Sequence, residues 1–276
     1  MVIRKRKSRF VKLFDKTPPQ VICPHFYELI LSNGCPYNCA YCYLKLTFRG
    51  AKSPNLFNNA WPEVQKELDK IGKGVFNTGE LADSLAIIPP LLAPAVDYFT
   101  NGVSDKYLLI VTKSTNVDMF LNRPPHENII ISFSINDQNI ARKYEKGAPS
   151  PLKRLAAAKK LKEKGWRIRI RLDPIILENG VEQYRGICEE IKKLDPEVVT
   201  IGSLRQFPGV HAFSKDAPKE GLAKAPDGRM RYPQGKRVVA YKKIAEWLER
   251  QPALCKETKD VWNALGWSFT TCNCTV

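Results

Sequence analysis

No stretch of this sequence approaches the roughly 18–20 consecutive apolar residues that a membrane-spanning helix needs, so a transmembrane helix is excluded. The start, Met1-Val2-Ile3-Arg4-Lys5-Arg6-Lys7, lacks the apolar centre of a secretory signal, and the expected compartment is cytoplasmic, with no membrane partner. Negative charge is scarce as well. Against 28 Asp and Glu stand 44 Lys and Arg, a formal net charge of +16 that exceeds what solubility requires. Such an excess points to a polyanion partner, nucleic acid first, although a generally basic proteome produces the same number. Histidine numbers three, and neither His25 nor His211 belongs to a ligand spacing. Beyond the basic start there is no internal repeat or low-complexity tract.

What the sequence does have is an unusual grouping of cysteine. Of eight in all, Cys35, Cys39 and Cys42 fall within eight residues. In a reducing cytosol thiols serve metals or chemistry rather than disulfides. A tetrahedral zinc or a plain electron-transfer cluster takes four protein ligands, whereas three thiolates around an iron–sulfide cubane leave one iron open. No fourth cysteine follows nearby, so the count points to catalysis. The bland alternatives are a zinc site completed by Cys23, or three ordinary buried thiols; zinc ligands more often come as two separated pairs.

Residues 1–20 read as a basic N-terminal arm, mobile over residues 1–12 and able to touch phosphates. From His25 onward apolar runs alternate with helical patterns. Strands are expected at 26–31, 74–77, 107–111, 129–135, 166–172 and 198–201, and helices at 61–71, 90–100, 151–164, 181–194 and 237–250. Gly165 is placed to end the third of these helices. Six strand–helix repeats predict an α/β fold, a partial (β/α)6 TIM-type barrel over 21–250, with its chemistry at the carboxyl ends of the strands. The polar, proline-bearing segment 205–235 reads as a lid at the barrel mouth. Residues 251–276 form a tail carrying Cys272 and Cys274.

The C-x3-C-x2-C spacing resembles the signature of radical S-adenosylmethionine (SAM) enzymes. Over most of its length the chain is similar to the spore photoproduct lyase family within them. Tyr41 and Tyr43 match tyrosines flanking the last cluster cysteine, and both are candidates for a catalytic part. Ile110-Val111-Thr112-Lys113 resembles a strand end whose lysine reaches SAM, and Phe133-Ser134-Ile135-Asn136 resembles the next strand, with Ser134 and Asn136 facing the cofactor. Arg231-Tyr232-Pro233-Gln234-Gly235-Lys236 is similar to a segment that grips the lesion through Arg231, Tyr232 and Lys236. The resemblance implies a partial barrel of the radical SAM kind holding a 4Fe-4S cluster on Cys35, Cys39 and Cys42, with SAM on the open iron. It further implies a 5′-deoxyadenosyl radical, a methylene-bridged thymine lesion in DNA as substrate of a lyase, and an electron donor such as flavodoxin or ferredoxin.

Residue chemistry supports several of these roles. Lys113 can neutralise the SAM carboxylate, Ser134 and Asn136 share one face of a buried strand and need polar partners there, and Gly79-Glu80 suits the SAM ammonium group. Asp83 suits a helix cap. Arg169 and Arg171 share a strand face, and Arg171 is placed to approach SAM or a phosphate. One departure stands out: the family's hydrogen-donating cysteine is replaced here by Glu80, whose O–H bond is too strong to reduce a carbon radical. Cys272 and Cys274 are candidate substitutes on a tail expected to fold over the mouth. Alternatively Cys255, Cys272 and Cys274, with Cys188, ligate a second cluster. Two further readings remain: the same radical chemistry on an RNA base, a peptide or a small anionic metabolite, or a nucleic-acid-binding protein with a structural metal and no catalysis.

Overall fold

The computed structural model describes residues 1–50, 53–102 and 104–276. Among these residues the principal sheet has eight strands: β1 (Val11–Phe14), β2 (Phe26–Leu29), β3 (Gly74–Asn77), β4 (Lys106–Thr112), β5 (Ile129–Ile135), β6 (Arg167–Ile175), β7 (Val198–Ser203) and β8 (Ala253–Leu254). Their order across the sheet is their order along the chain. Every neighbouring pair from β2 to β8 is parallel, and only β1 runs antiparallel, against β2. Helices Trp61–Leu68 (α1), Leu92–Thr100 (α2), Gln138–Tyr144 (α3), Pro151–Glu163 (α4), Arg185–Leu194 (α5), Gln234–Leu248 (α6) and Lys259–Leu265 (α7) accompany the strands. The result is an open, curled half-barrel with the six expected strands at β2–β7 and an added strand at each edge.

Strand alternation sorts the side chains. On β5, Ile129, Ile131, Phe133 and Ile135 join the main core together with helix residues such as Leu155, Ala158 and Leu161 of α4. Ser132 and Ser134 point the other way, into the bore. β6 follows the same rule, with Ile168, Ile170 and Leu172 in the core and Arg169 and Arg171 in the bore. α4 ends as the sequence predicts. Gly165 has φ +98°, and the Trp166 N–H donates to Leu161 O at 3.1 Å, a Schellman-type closure that only a residue tolerant of positive φ allows at low cost.

Two expectations are corrected. The first residues are not a free arm: Val2–Arg4 pairs in parallel with Asn55–Phe57, and β1 closes the sheet edge. Backbone pairing carries them, and the Glu67 side chain adds to it, its Oε2 accepting from the N–H groups of Phe10 and Val11 at 2.9 Å. The C-terminal tail does not cover the mouth. It enters the bore along the amino-terminal halves of the strands, where Cys274 packs on Val75, Leu109 and Ile130, and Cys272 on Val198 and Ala253. Arg169 causes this. A guanidinium buried to 1% exposure needs acceptors, and its Nη1 donates to the carbonyls of Cys272, Asn273 and Thr275 while Nη2 pairs with Glu197 at 2.9 Å. Among the described residues no helix is long and apolar enough to cross a membrane.

Phe76 is fully buried between Tyr27 (5.1 Å, stacked) and Phe99 (5.3 Å) where β3 meets α2. Phe76→Ala should lower the free energy of unfolding by about 3–5 kcal/mol in denaturant titrations.

Candidate active site

At the carboxyl ends of the strands lies a cavity of about 540 Å³. Its wall carries Cys35, Cys39 and Cys42 from the loop after β2, Gly79, Glu80 and Asp83 after β3, and Lys113 after β4. Ser134 of β5, Arg171 and Asp173 of β6, and Arg205, Phe207 and Arg229 from the segment beyond β7 complete it. The cysteine loop is held at several points. Asn38–Cys39 pairs antiparallel with Glu145–Lys146, Ala40 N–H donates to Tyr144 O at 2.7 Å, and Gly34 N–H donates to Leu81 O at 2.8 Å. Gly34 has φ +82°, and a Cβ there would stand 3.0 Å from Pro54 Cα, so the turn into the loop requires glycine.

Glu145 is the centre of the loop's support. Its carboxylate, 1% exposed, forms an ion pair with Arg154 at 2.6 Å, accepts from the Tyr41 hydroxyl and from Asn136 Nδ2 at 3.3 Å, and lies 4.0 Å from Lys113 Nζ. Burial alone would push this carboxyl upward, yet Lys113 and Arg154 outweigh it and hold the group below the usual carboxylate range. For Lys113 the balance is reversed: burial pulls it down, while Glu145 and the Cys39 sulfur prevail and raise it. Lys113 is thus a firm cation on the wall beside the three thiols.

Those thiols are themselves shielded. Burial pushes Cys35 up to about 12 and raises Cys39 and Cys42 as well, so binding a metal requires the loss of protons that only a cationic centre offsets. Among the described residues no three His, Cys, Asp or Glu side chains already surround a single ion. The donor set nevertheless fits a cubane. Among the described residues three cysteines and no fourth line the cavity, one thiolate fewer than such a cluster has irons.

Further round the wall, Gly79 is obligatory because a Cβ would stand 2.6 Å from that of Val111. Glu80 accepts from Asn77 Nδ2 at 3.1 Å and faces Lys256 Nζ at 3.8 Å, and the Tyr43 hydroxyl donates to its carbonyl. Asp83 is a structural acid: it caps Ser84–Ile87 through Ala86 N–H at 3.1 Å and accepts from Thr112 Oγ1 at 2.6 Å and Lys113 N–H at 2.7 Å. Arg171 lines the cavity but already pairs with Asp173 at 2.7 Å, as does Arg205 at 2.8 Å. Burial would raise Asp173, but the two guanidinium groups outweigh it and hold the carboxyl far below its ordinary value.

The structure brings together Cys35, Cys39, Cys42, Tyr41, Tyr43, Gly79, Glu80, Lys113, Ser134 and Arg171. It does not bring in the others. Asn136 is fully buried with both ends of its amide used, by Glu145, Pro174 O, Tyr184 and Asp137 N–H. Arg231 is bound to Asp227 at 2.6 Å and to Lys256 O at 3.1 Å, and the Tyr232 hydroxyl accepts from Leu177 N–H at 3.0 Å. Lys236 is exposed in the first turn of α6. Cys272 and Cys274 lie deep in the bore. The sequence reading missed Glu145, Asp173 and Arg205, whose roles rest on contacts between distant segments. Arg229, just ahead of the segment 231–236, does line the cavity, its guanidinium over the Phe207 ring at 5.0 Å.

Half-barrel and three-cysteine wall together define the radical SAM class. A family model described as Spore photoproduct lyase matches residues 9–245, and the chain belongs to that family, whose cofactors are a 4Fe-4S cluster and SAM. Two curated spore photoproduct lyases illustrate the relation. That of Geobacillus sp. is 24% identical over 237 residues, 81% of this chain and 66% of its own length. That of Bacillus subtilis is 28% identical over 199 residues, 67% of this chain and 55% of its own. The chain therefore spans less than two-thirds of these relatives. A solved spore photoproduct lyase complexed with dinucleoside spore photoproduct superposes with a TM-score of 0.72 at 20% identity, over 92% of this chain and 81% of that one. Streptococcus suis SuiB bound to S-adenosylmethionine gives 0.59 at 13% identity, over 87% and 52%. At these identities the structural likeness speaks for the fold.

Glu145→Gln should destabilise the protein by about 3–5 kcal/mol, since it leaves Arg154 and Lys113 buried without their anion. A depressed folded value means the carboxylate stabilises above the ordinary glutamate range and that this contribution fades as pH falls through the folded value. Denaturation midpoints followed from neutral pH to about pH 3 should fall in the parent and show a shallower acid slope in the variant.

Proposed function

We propose that this chain is a radical SAM enzyme of the lyase type that repairs or modifies a pyrimidine lesion in DNA. The observation that carries the reading is the cavity wall with three cysteines and, among the described residues, no fourth, in a chain whose family match covers residues 9–245. With cluster and SAM bound, one-electron reduction supplies a 5′-deoxyadenosyl radical that abstracts hydrogen from a C–H bond. Cys35, Cys39 and Cys42 hold the cluster, and Tyr41 and Glu145 keep their loop in place. Lys113 offers its charge to the SAM carboxylate, Glu80 its carboxylate to the ammonium group, and Ser134 a small hydroxyl on the next strand. Arg229 and Lys256 on the wall, with Lys16 beside them, suit the phosphates of a nucleic acid. A cytoplasmic setting with a flavodoxin or ferredoxin as electron donor matches the need for reduced thiols.

A second reading has its own support. Glu80 stands where the resemblance expects a hydrogen-donating cysteine, and among the described lining residues the only thiols are the three of the cluster loop. The same radical chemistry on an RNA base, a peptide or a small anionic metabolite fits that wall.

After anaerobic reconstitution and reduction, the protein should release 5′-deoxyadenosine from SAM, and Cys39→Ala should reduce this to background. Dinucleoside spore photoproduct should be converted to its two thymidine units. SAM cleavage with no conversion of the lesion would move the assignment to the second reading, and no cleavage by cluster-loaded protein would remove both. Affinity for lesion-bearing DNA should fall steeply with salt, with a log–log slope of about −0.9 per phosphate contacted on duplex DNA; a flat dependence would speak against DNA as the partner.

A further inference from the structure

Four cysteines outside the cluster loop converge from three parts of the chain. Cys23 follows the strand Val21–Ile22, which pairs antiparallel with Glu257–Thr258 in the register Ile22 to Glu257. Continued by one residue, that register sets Cys23 opposite Lys256, beside Cys255. Cys255 follows β8, and by strand alternation it lies on the same side as Ala253, against which Cys272 and Cys274 pack. The Cys274 N–H donates to Cys272 Sγ at 3.4 Å. Each thiol lies within electrostatic reach of others in the group: Cys23 of Cys255 and Cys274, and Cys272 of Cys255 and Cys23. Cys188, the partner expected from the sequence, sits instead on α5 in the main core.

Burial raises the Cys23 and Cys255 thiols, and the cations around them work against it. Cys255 Sγ accepts from Arg171 Nη2 at 3.4 Å and from Arg205 Nη2 at 3.2 Å. Lys256 adjoins it, and Arg169 clasps the carbonyls around Cys272. Asp173 answers both Arg171 and Arg205, Glu80 answers Lys256 and Glu197 answers Arg169, so these four cations face three carboxylates. Two buried donors here lack acceptors among the described residues: Nδ2 of Asn273, a residue only 2% exposed between the two tail cysteines, and Nε of Arg169. An orphaned N–H in such a place is costly, and metal-bound thiolates would bring acceptors to this part of the bore. Tail, edge strand and the ribbon before β2 meet at this point, as three segments do when fastened by a metal.

We propose that Cys23, Cys255, Cys272 and Cys274 ligate a second metal centre, closed by four thiolates, which fastens the C-terminal tail inside the bore. Four protein ligands leave no open position, so this centre is distinct in kind from the one on the cavity wall and binds no SAM. The four thiols release their protons to solvent as the metal enters, and no electron is transferred. The sulfurs do not already surround one ion, which is equally so of Cys35, Cys39 and Cys42; both sets must be drawn in by a metal or bridged by sulfide. Tetrathiolate sites take either a zinc ion or an iron–sulfur cluster, and the measurement separates them.

The test is metal and acid-labile sulfide analysis of the full chain purified and reconstituted without oxygen. In a variant combining Cys35→Ala, Cys39→Ala and Cys42→Ala, the chain should still hold about four irons with four sulfides, or about one zinc without sulfide. Adding Cys255→Ser and Cys272→Ser should remove that metal. A folded triple variant without iron or zinc overturns the proposal, as does metal that survives the two serine substitutions. Should the triple variant fail to fold, the parent chain decides: metal beyond a single four-iron cluster supports the site, and one cluster with no zinc overturns it. Because the triple variant lacks the cavity cluster, the outcome is independent of whether the parent cleaves SAM.

Discussion

A carboxylate with almost no exposure to water, surrounded by Arg154, Lys113, Tyr41 and Asn136, is the point from which the site is organised. Glu145 belongs to the two-residue strand that pairs with Cys39, so the same segment supplies the backbone register of the cysteine loop and the charge beneath it. Were the charge removed, two cations would be left in a medium that solvates them poorly, a greater loss than the pair is worth in itself. Alternating sign across Lys113, Glu145 and Arg154 lets three ionised groups share a space that would not tolerate one. The loop is thereby held on a rigid support, which a centre that must present one open metal position requires.

The bore is the second organising feature. In this half-barrel the apolar faces of the strands turn outward to the helices, and the inward faces carry Ser132, Ser134, Arg169, Arg171 and Asp173. Buried polar groups need partners, and here they are met in two tiers. Toward the mouth, Arg171 and Arg205 share Asp173 at the cavity edge. Toward the other end, Arg169 takes the carbonyls of the tail, and Ser132 donates to Asn273 Oδ1 at 2.6 Å. The tail is therefore part of the barrel's interior.

Charge shows how far composition can be read. A net charge of +16 suggests many cations free to meet a polyanion, yet several of the arginines are committed inside the protein. Arg231 and Arg237 both turn toward the buried Glu257, and Arg154 and Arg169 are fully enclosed. The cations that face the cavity are fewer, and aromatic rings lie beneath three of them, Phe207 under Arg229, Phe14 under Lys256 and Tyr41 under Lys113.

Periodicity and spacing carried the local facts: six strands, the helix stop at Gly165, the glycine-bearing turn after β3, and the cysteine triplet. Each depends on residues within a few positions of one another, where backbone geometry and side-chain alternation act directly. Contacts across long separations were a different matter. Glu145 meeting Tyr41, Arg169 drawing in the tail, and Val21–Ile22 pairing with Glu257–Thr258 join residues roughly 100 to 240 positions apart, and no short-range pattern marks them. Asn136, Arg231 and Tyr232 appeared free for a ligand because a sequence lists polar groups without their partners. Folding assigned those partners from within the protein, since an enclosed hydrogen-bonding group takes the nearest complement available, whatever its distance along the chain.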